Sequence, residues 1–244
     1  MAFNFKLVLS LAGICLSILN SRADDRLTYS VASVELKEIK NDDDKNPDRE
    51  FFYNSNLKLG NDFPIQIPNP DPIEQSRKVI SVGRDLVALG EDVYRLVVKG
   101  KPTNNTKYAP ISVVPKENGE PVDIMATENW SMPVKRTFQV VYKNLYGIKV
   151  VVFRYSVLYS YAGSYNDKGA YLTSVQIIPE FVRTLFGYDF TATMKLGGIQ
   201  NSGTRKNPVA GATLLIEYTV NTILEAMTTV GTVYVTGRGG FKHY

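Results

Sequence analysis

The sequence predicts an all-β protein with an elongated body of long antiparallel strands. Three observations predict it. After Trp130, apolar and polar residues alternate with a period of two over most of the chain. That period is the mark of a pleated strand, whose successive side chains leave opposite faces. The alternating runs are long, and fifteen residues extend about 50 Å, well beyond a usual strand. No α-rich interlude separates them, which favours an extended antiparallel sheet over a compact barrel or a βαβ fold.

At the N-terminus, Lys6 precedes an apolar run from Leu7 to Leu19, and Ser21-Arg22-Ala23 supplies small residues for cleavage. This predicts a secretory signal peptide over 1–23, too short for an ordinary membrane span. The product is then secreted and extracellular, starting at Asp24. Loss of Lys6 and Arg22 lowers the net charge from +4 to +2. So balanced a charge gives no basis for nucleic-acid binding or for adhesion to anionic lipid. The sole cysteine, Cys15, lies inside the leader. The remaining domain therefore has no disulfide and must rely on its core or on oligomerisation.

Leu27 to Ile39 alternates as a strand, with a bulge expected near Ser33. Asn41 to Asp48 is a charged loop. Phe51-Phe52-Tyr53 places three aromatics beside a linker rich in proline, from Pro64 to Pro72. Such a cluster is core by default; the other reading is a receptor-binding patch, where aromatics act as anchors. Ile73 to Leu89 fits either a short helix or two strands. Val93 to Val98 and Ile111 to Val114 are short strands. Two glycosylation acceptors occur, at Asn104 and Asn129.

Beyond Trp130, Thr137 to Lys143 is a strand and Asn144-Leu145-Tyr146-Gly147 a turn. Ile148 to Ala162 reads as one unbroken strand. Alternation then predicts single strands over Val182–Leu196 and Leu214–Ala226, a short last strand at Thr232–Thr236, and a glycine-rich tail from Gly237.

The stretch from Arg154 to Ile178 forms a hairpin. Tyr155, Val157, Tyr159 and Tyr161 share one face of its first limb. Tyr171, Thr173, Val175 and Ile177 share the matching face of the second. Ser156, Ser160, Ser174 and Gln176 lie on the opposite face. Gly163 to Gly169 is a polar tip. One reading is a sandwich hairpin, apolar face on the core. The other is a membrane-inserting hairpin, since a transmembrane strand needs about 9–11 residues with lipid-facing and lumen-facing positions alternating.

The chemistry-bearing residues argue against an enzyme. The one histidine, His243, is the penultimate residue, so serine and cysteine nucleophiles lack a base in sequence. No HExxH motif or cysteine cluster offers a zinc site, and Asp42 to Asp44 lack the spacing of an EF-hand loop. No cofactor and no metal is expected.

One family orders its elements in the same way. A cysteine-free, β-rich chain carries Asn129-Trp130-Ser131 leading into a strand, then a Ser/Tyr-rich hairpin. Val175-Gln176-Ile177-Ile178-Pro179-Glu180-Phe181-Val182 follows, then Asp189-Phe190-Thr191-Ala192-Thr193-Met194 and a last strand with glycine after it. In these features the chain resembles the aerolysin-like β-pore-forming toxins, particularly the epsilon-toxin and mosquitocidal-toxin branch, over roughly 127–244. It departs from that pattern at Glu180, where the family has the second proline of a pair, and in a shorter segment before Pro179. The resemblance implies a receptor-binding region that also adds strands over 24–126 and a pore-forming module over 127–244. It implies a surface receptor, homo-oligomerisation on a target membrane and extrusion of a hairpin into a shared barrel. Carried over by position, Tyr155, Val157, Tyr159, Tyr161, Tyr171, Val175 and Ile177 would meet lipid. Ser156, Ser160, Ser174 and Gln176 would line the lumen. Proteolysis at Arg238, between glycines in the tail, would release assembly. The rival expectation is a non-lytic secreted β-sandwich that binds a glycan or small ligand.

Overall fold

Alternation becomes strand almost wherever it occurs. The computed structural model describes residues 25–39, 79–90, 93–99, 101–102 and 110–244. The leader, the charged loop, Phe51-Phe52-Tyr53, the proline-rich linker and Asn104 lie outside these residues. The strands are β1 (Val31–Ile39), β2 (Val79–Val82), β3 (Leu86–Leu89), β4 (Val93–Lys99), β5 (Lys101–Pro102), β6 (Ile111–Glu117) and β7 (Glu120–Pro121), then β8 (Val134–Asn144), β9 (Lys149–Tyr165), β10 (Lys168–Thr184), β11 (Asp189–Asn201), β12 (Ala210–Asn221), β13 (Ala226–Thr236) and β14 (Phe241–His243).

These strands form two antiparallel sheets. The first runs β1-β8-β9-β10-β6-β3-β2, with β7 added on β6. The second runs β14-β13-β12-β11-β4-β5. The protein is thus all-β with long antiparallel strands, β9 and β10 reaching 17 residues each. The strands before residue 126 are laid into both sheets: β1 pairs with β8, β4 with β11, and β6 with β10.

The sheets bury one continuous core between them. Phe153 lies 5.0 Å from Phe190 and 6.0 Å from Tyr218 across the interface, and Tyr142 meets Phe190 edge-on. Each large side chain fully buried there contributes about 1.5–3 kcal/mol. A core of this extent stands in place of the missing disulfides.

Several expectations hold and several need correction. The Ser33 bulge is present as a register shift between Val31 and Ser33. Residues 25–29, however, form a helical turn, so that strand begins later than its alternation suggested. The stretch 73–89 resolves into two strands, β2 and β3, over its described part. The expected strand over Val182–Leu196 is two strands, broken by a turn at Leu185–Tyr188 in which Gly187 takes φ +85°. The expected strand over Leu214–Ala226 is also two. Its turn is built on Thr222, whose Oγ1 accepts from the amides of Leu224 and Glu225. The strand expected at Thr232–Thr236 is longer, eleven residues rather than five, and β14 follows it.

The tail also differs. It is not a loose end: Phe241–His243 pairs with β13, Gly239 and Gly240 close the turn onto Thr236, and the Gly237 backbone is held on both sides. Arg238 is exposed at the tip of that turn.

Candidate functional site: the β9–β10 hairpin and what holds it

The β9–β10 hairpin turns through Asn166 and Asp167, with φ of 51° and 59°. Two successive left-handed residues make a two-residue turn that matches the twist of the strands, and Asn and Asp accept that conformation. The tip is therefore shorter than the 163–169 loop expected, and the strands run almost to it.

The hairpin's inner face is as apolar as the sequence suggests. Tyr155, Val157, Tyr159, Tyr171, Val175 and Ile177 are buried in the core and Tyr161 packs at its edge. Val157 faces Ile177 and Tyr155 faces Pro179 across the ladder. The outer face carries Ser156, Leu158, Ser160 and Gln176. Ser156 and Ser160 are buried rather than wet in this state. The Ser156 hydroxyl donates to Glu180 at 2.6 Å and lies 2.7 Å from the Thr137 hydroxyl. Lys135 completes the group with an ion pair to Glu180.

Strict alternation fails in the second limb. Ser174 takes φ 56° and Ala162 φ 67°, and the register shifts on both strands around them. An extra residue in a left-handed conformation is a bulge, and it moves the following side chains to the other face. Thr173 therefore opposes Ser160 on the outer face, where it bonds Ser112 at 2.9 Å, and leaves the face of Tyr171. Leu172, which alternation from Tyr171 would put on the polar face, is fully buried in the core.

Two restraints on the hairpin carry little sequence signal. The first is the 127–131 segment. Ser131 and Tyr161 exchange backbone and hydroxyl bonds, as Glu128 and Ser164 exchange backbone bonds. Trp130 lies across Gly163, its ring atoms 2.3–2.4 Å from where a Cβ would stand. Asn129 is exposed, and its side-chain nitrogen, the atom a glycan would use, donates to Ser164 Oγ at 2.8 Å.

The second restraint is the C-terminus. Gly237 accepts from the amide of Ala162 and donates to the carbonyl of Ala210, joining the two sheets by backbone alone. A Cβ there would stand 1.9 Å from the Ala170 oxygen. Phe241 stacks on Phe138 and on Tyr159. The Arg136 guanidinium lies 4.2 Å from the centre of the Phe241 ring and is held by a bidentate pair with Glu38. His243 sits against Phe138 and Tyr155, two aromatic side chains that sequence placed in separate strands. Burial pushes the Tyr155 and Tyr218 hydroxyls above the usual tyrosine range, so both stay protonated.

Among the described residues no group of histidine, cysteine and carboxylate side chains could hold a metal ion. Nor is any helix there long and apolar enough to cross a membrane, which says nothing of strands. Comparison with known proteins finds no matching family model, curated protein or solved structure.

Proposed function

We propose that this is a secreted pore-forming protein whose β9–β10 hairpin leaves the sandwich and enters a target membrane as part of a shared β-barrel. The observation that carries the reading is the hairpin itself. Each limb has 17 residues, one face is aromatic and aliphatic, and the turn at the tip is short and polar. About 9–11 residues per strand span a bilayer, so each limb is long enough with residues to spare. Transfer of the inner face from core to lipid keeps Tyr155, Val157, Val175 and Ile177 out of water in both states. The ladder bonds given up to β8 and β6 return as bonds between neighbouring hairpins in a closed ring. Ser156, Ser160, Thr173 and Gln176 would then line an aqueous lumen.

One observation favours the rival, a non-lytic binding sandwich. β9 and β10 are interior strands, and their side chains are the core of the soluble fold. Extracting them dismantles that core, a demand that a binding module never meets.

A reversible staple decides between the two. Thr137 and Ser156 face each other across β8 and β9, and Cys15 is the only native cysteine. A Thr137→Cys/Ser156→Cys pair, oxidised, ties β9 into its sheet. Dye release from vesicles made of target-cell lipids should vanish on oxidation and return with reductant. Undiminished release from the stapled protein sinks the insertion of β9. No release and no detergent-resistant oligomer from the unstapled protein leaves the binding module.

A further inference from the structure

Because neighbouring strands are antiparallel, their connections gather at two ends of the sandwich. At one end stand the β8–β9, β10–β11 and β12–β13 turns and the helical turn before β1. Bonds hold these four together. The Leu185 amide donates to the Val150 carbonyl at 2.8 Å, and the Val31 amide to Glu225 Oε1 at 2.7 Å. Tyr188 and Asn144 both donate to the Thr28 carbonyl.

The tips at this end are apolar and exposed. Phe186 is 86% exposed, Ile223 70%, Leu145 52%, Leu224 47% and Leu27 39%. The other end is polar. It presents Asn166-Asp167, Asn118-Gly119, the 202–207 loop with Arg205 and Lys206, and Arg238, all of them exposed. Towards that end Met125 and Met132, in the connection before β8, and Val82, at the end of β2, are exposed apolar residues on separate segments. Turn geometry does not call for the apolar tips: Gly187 and Thr222 supply it, and a polar residue at 186 or 223 would serve equally. A cluster of large apolar side chains on adjacent tips marks an interaction surface.

We propose that this end docks on a lipid bilayer, its turn tips entering the interfacial region. The shape favours lipid over a protein partner. The side chains stand out from four separate connections, and a bilayer accepts each without a matching pocket. Charge agrees. Asp25, Arg26, Glu35, Lys143, Lys149, Asp189 and Glu225 mix both signs around the tips, with Glu35 paired to Lys143 and Glu225 bonded to Val31. Docking is then apolar in origin and only weakly sensitive to salt. This surface shares with the pore reading only the bilayer as partner. It lies at the end opposite the Asn166-Asp167 tip, so a docked molecule must turn its hairpin over before inserting it.

The test is flotation with phosphatidylcholine vesicles, using protein made through a eukaryotic secretory host. Phe186→Asp/Ile223→Asp should lower vesicle binding roughly tenfold or more, since two large apolar side chains no longer leave water. Met125→Asp/Met132→Asp should bind within about twofold of the parent, and raising salt from about 0.1 to about 1 M should change little. All four positions are exposed, and unchanged thermal melts by circular dichroism verify folding. Undiminished binding by Phe186→Asp/Ile223→Asp overturns the proposal. So does a parent that ignores vesicles but self-associates through these tips, which makes the end a contact between copies. Docking without dye release supports the surface while counting against the pore.

Discussion

Tyr155 and His243 lie 88 positions apart and share a hydrogen bond of 2.7 Å. Tyr218 donates to the same Tyr155 hydroxyl at 2.8 Å, so Tyr155 turns its own proton to His243 Nε2. That nitrogen accepts only as a neutral imidazole. The C-terminal residue but one is thus tied to the middle of the longest hairpin through a proton whose position depends on pH.

The histidine should make the protein acid-sensitive. Burial lowers the His243 pKa below the ordinary histidine value, and the Tyr244 backbone and the Glu38 charge oppose this in part. The folded pKa therefore lies below the unfolded one. Its contribution to stability is complete above roughly pH 6.5 and is lost as pH falls through the folded value. Thermal melts should show a midpoint that drops between about pH 6.5 and about pH 5, a window where ordinary carboxylates stay ionised. His243→Gln keeps a hydrogen-bonding group for Tyr155 but does not titrate, so its melting point should be flat over that window. An equal drop in the variant would move the sensitivity elsewhere.

This link was not legible in the sequence, where His243 belongs to a glycine-rich tail with no alternation to place it. Much else was. Tyr155, Val157 and Ile177 reach the face their parity assigns, because a strand buried on one side leaves little freedom of register. Parity is also what misled. The turn at Leu185–Tyr188 has four residues, so alternation counted from Val182 resumes in phase at Phe190 while the chain has reversed. Phe186, on the core face by count, is the most exposed phenylalanine described. The Thr222–Glu225 turn hides in the same way, and Leu224 is exposed for the same reason. Thr173 failed differently. Nothing in Thr173-Ser174 announces a left-handed serine, since the bulge is set by the pairing with β6 and β9. The hairpin was thus visible as a site, and the parts that restrain it were not, because each acts through backbone or through a single ring across the sandwich.

Removing the last four residues should open the core at one edge. Phe241 covers Phe138 and Tyr159, and His243 covers Tyr155. A chain ending at Gly240 loses both, along with the Arg136 contact. The expected cost is about 2–4 kcal/mol, by analogy with removal of a buried aromatic side chain. In a domain of this size that reads as a fall in melting temperature of roughly 5–15 °C. Binding of a hydrophobic dye should rise as well, because three aromatic side chains of β8 and β9 become accessible. Cutting after Arg238 without removing the peptide should do less, since the β13–β14 pairing can keep Phe241 in place. A truncated chain with unchanged melting and no dye binding would mean that this edge is closed by something else.

Trp130 and Gly163 set the last prediction. The ring covers the glycine so closely that the six-membered part of the indole occupies the space of a Cβ, and the indole nitrogen is anchored on Thr127 at 3.1 Å. Gly163→Ala must therefore displace the ring or push β9 out of line, because the ring lies flat against the backbone and has a second anchor. Overpacking of this kind costs about 1–3 kcal/mol. Trp130 is the only tryptophan, so its emission reports the displacement directly: a red shift on entering water, together with a lower melting point. Trp130→Leu in the same chain vacates the space and should recover part of the loss, a positive coupling that distant sites would not show. If Gly163→Ala leaves emission and melting unchanged, the ring does not clasp the hairpin. If the second change adds its own loss in full, the two residues are not in contact in solution. Recovery would establish that the 127–131 segment holds β9 beside its tip, and that loosening it is a step any release of the hairpin must include.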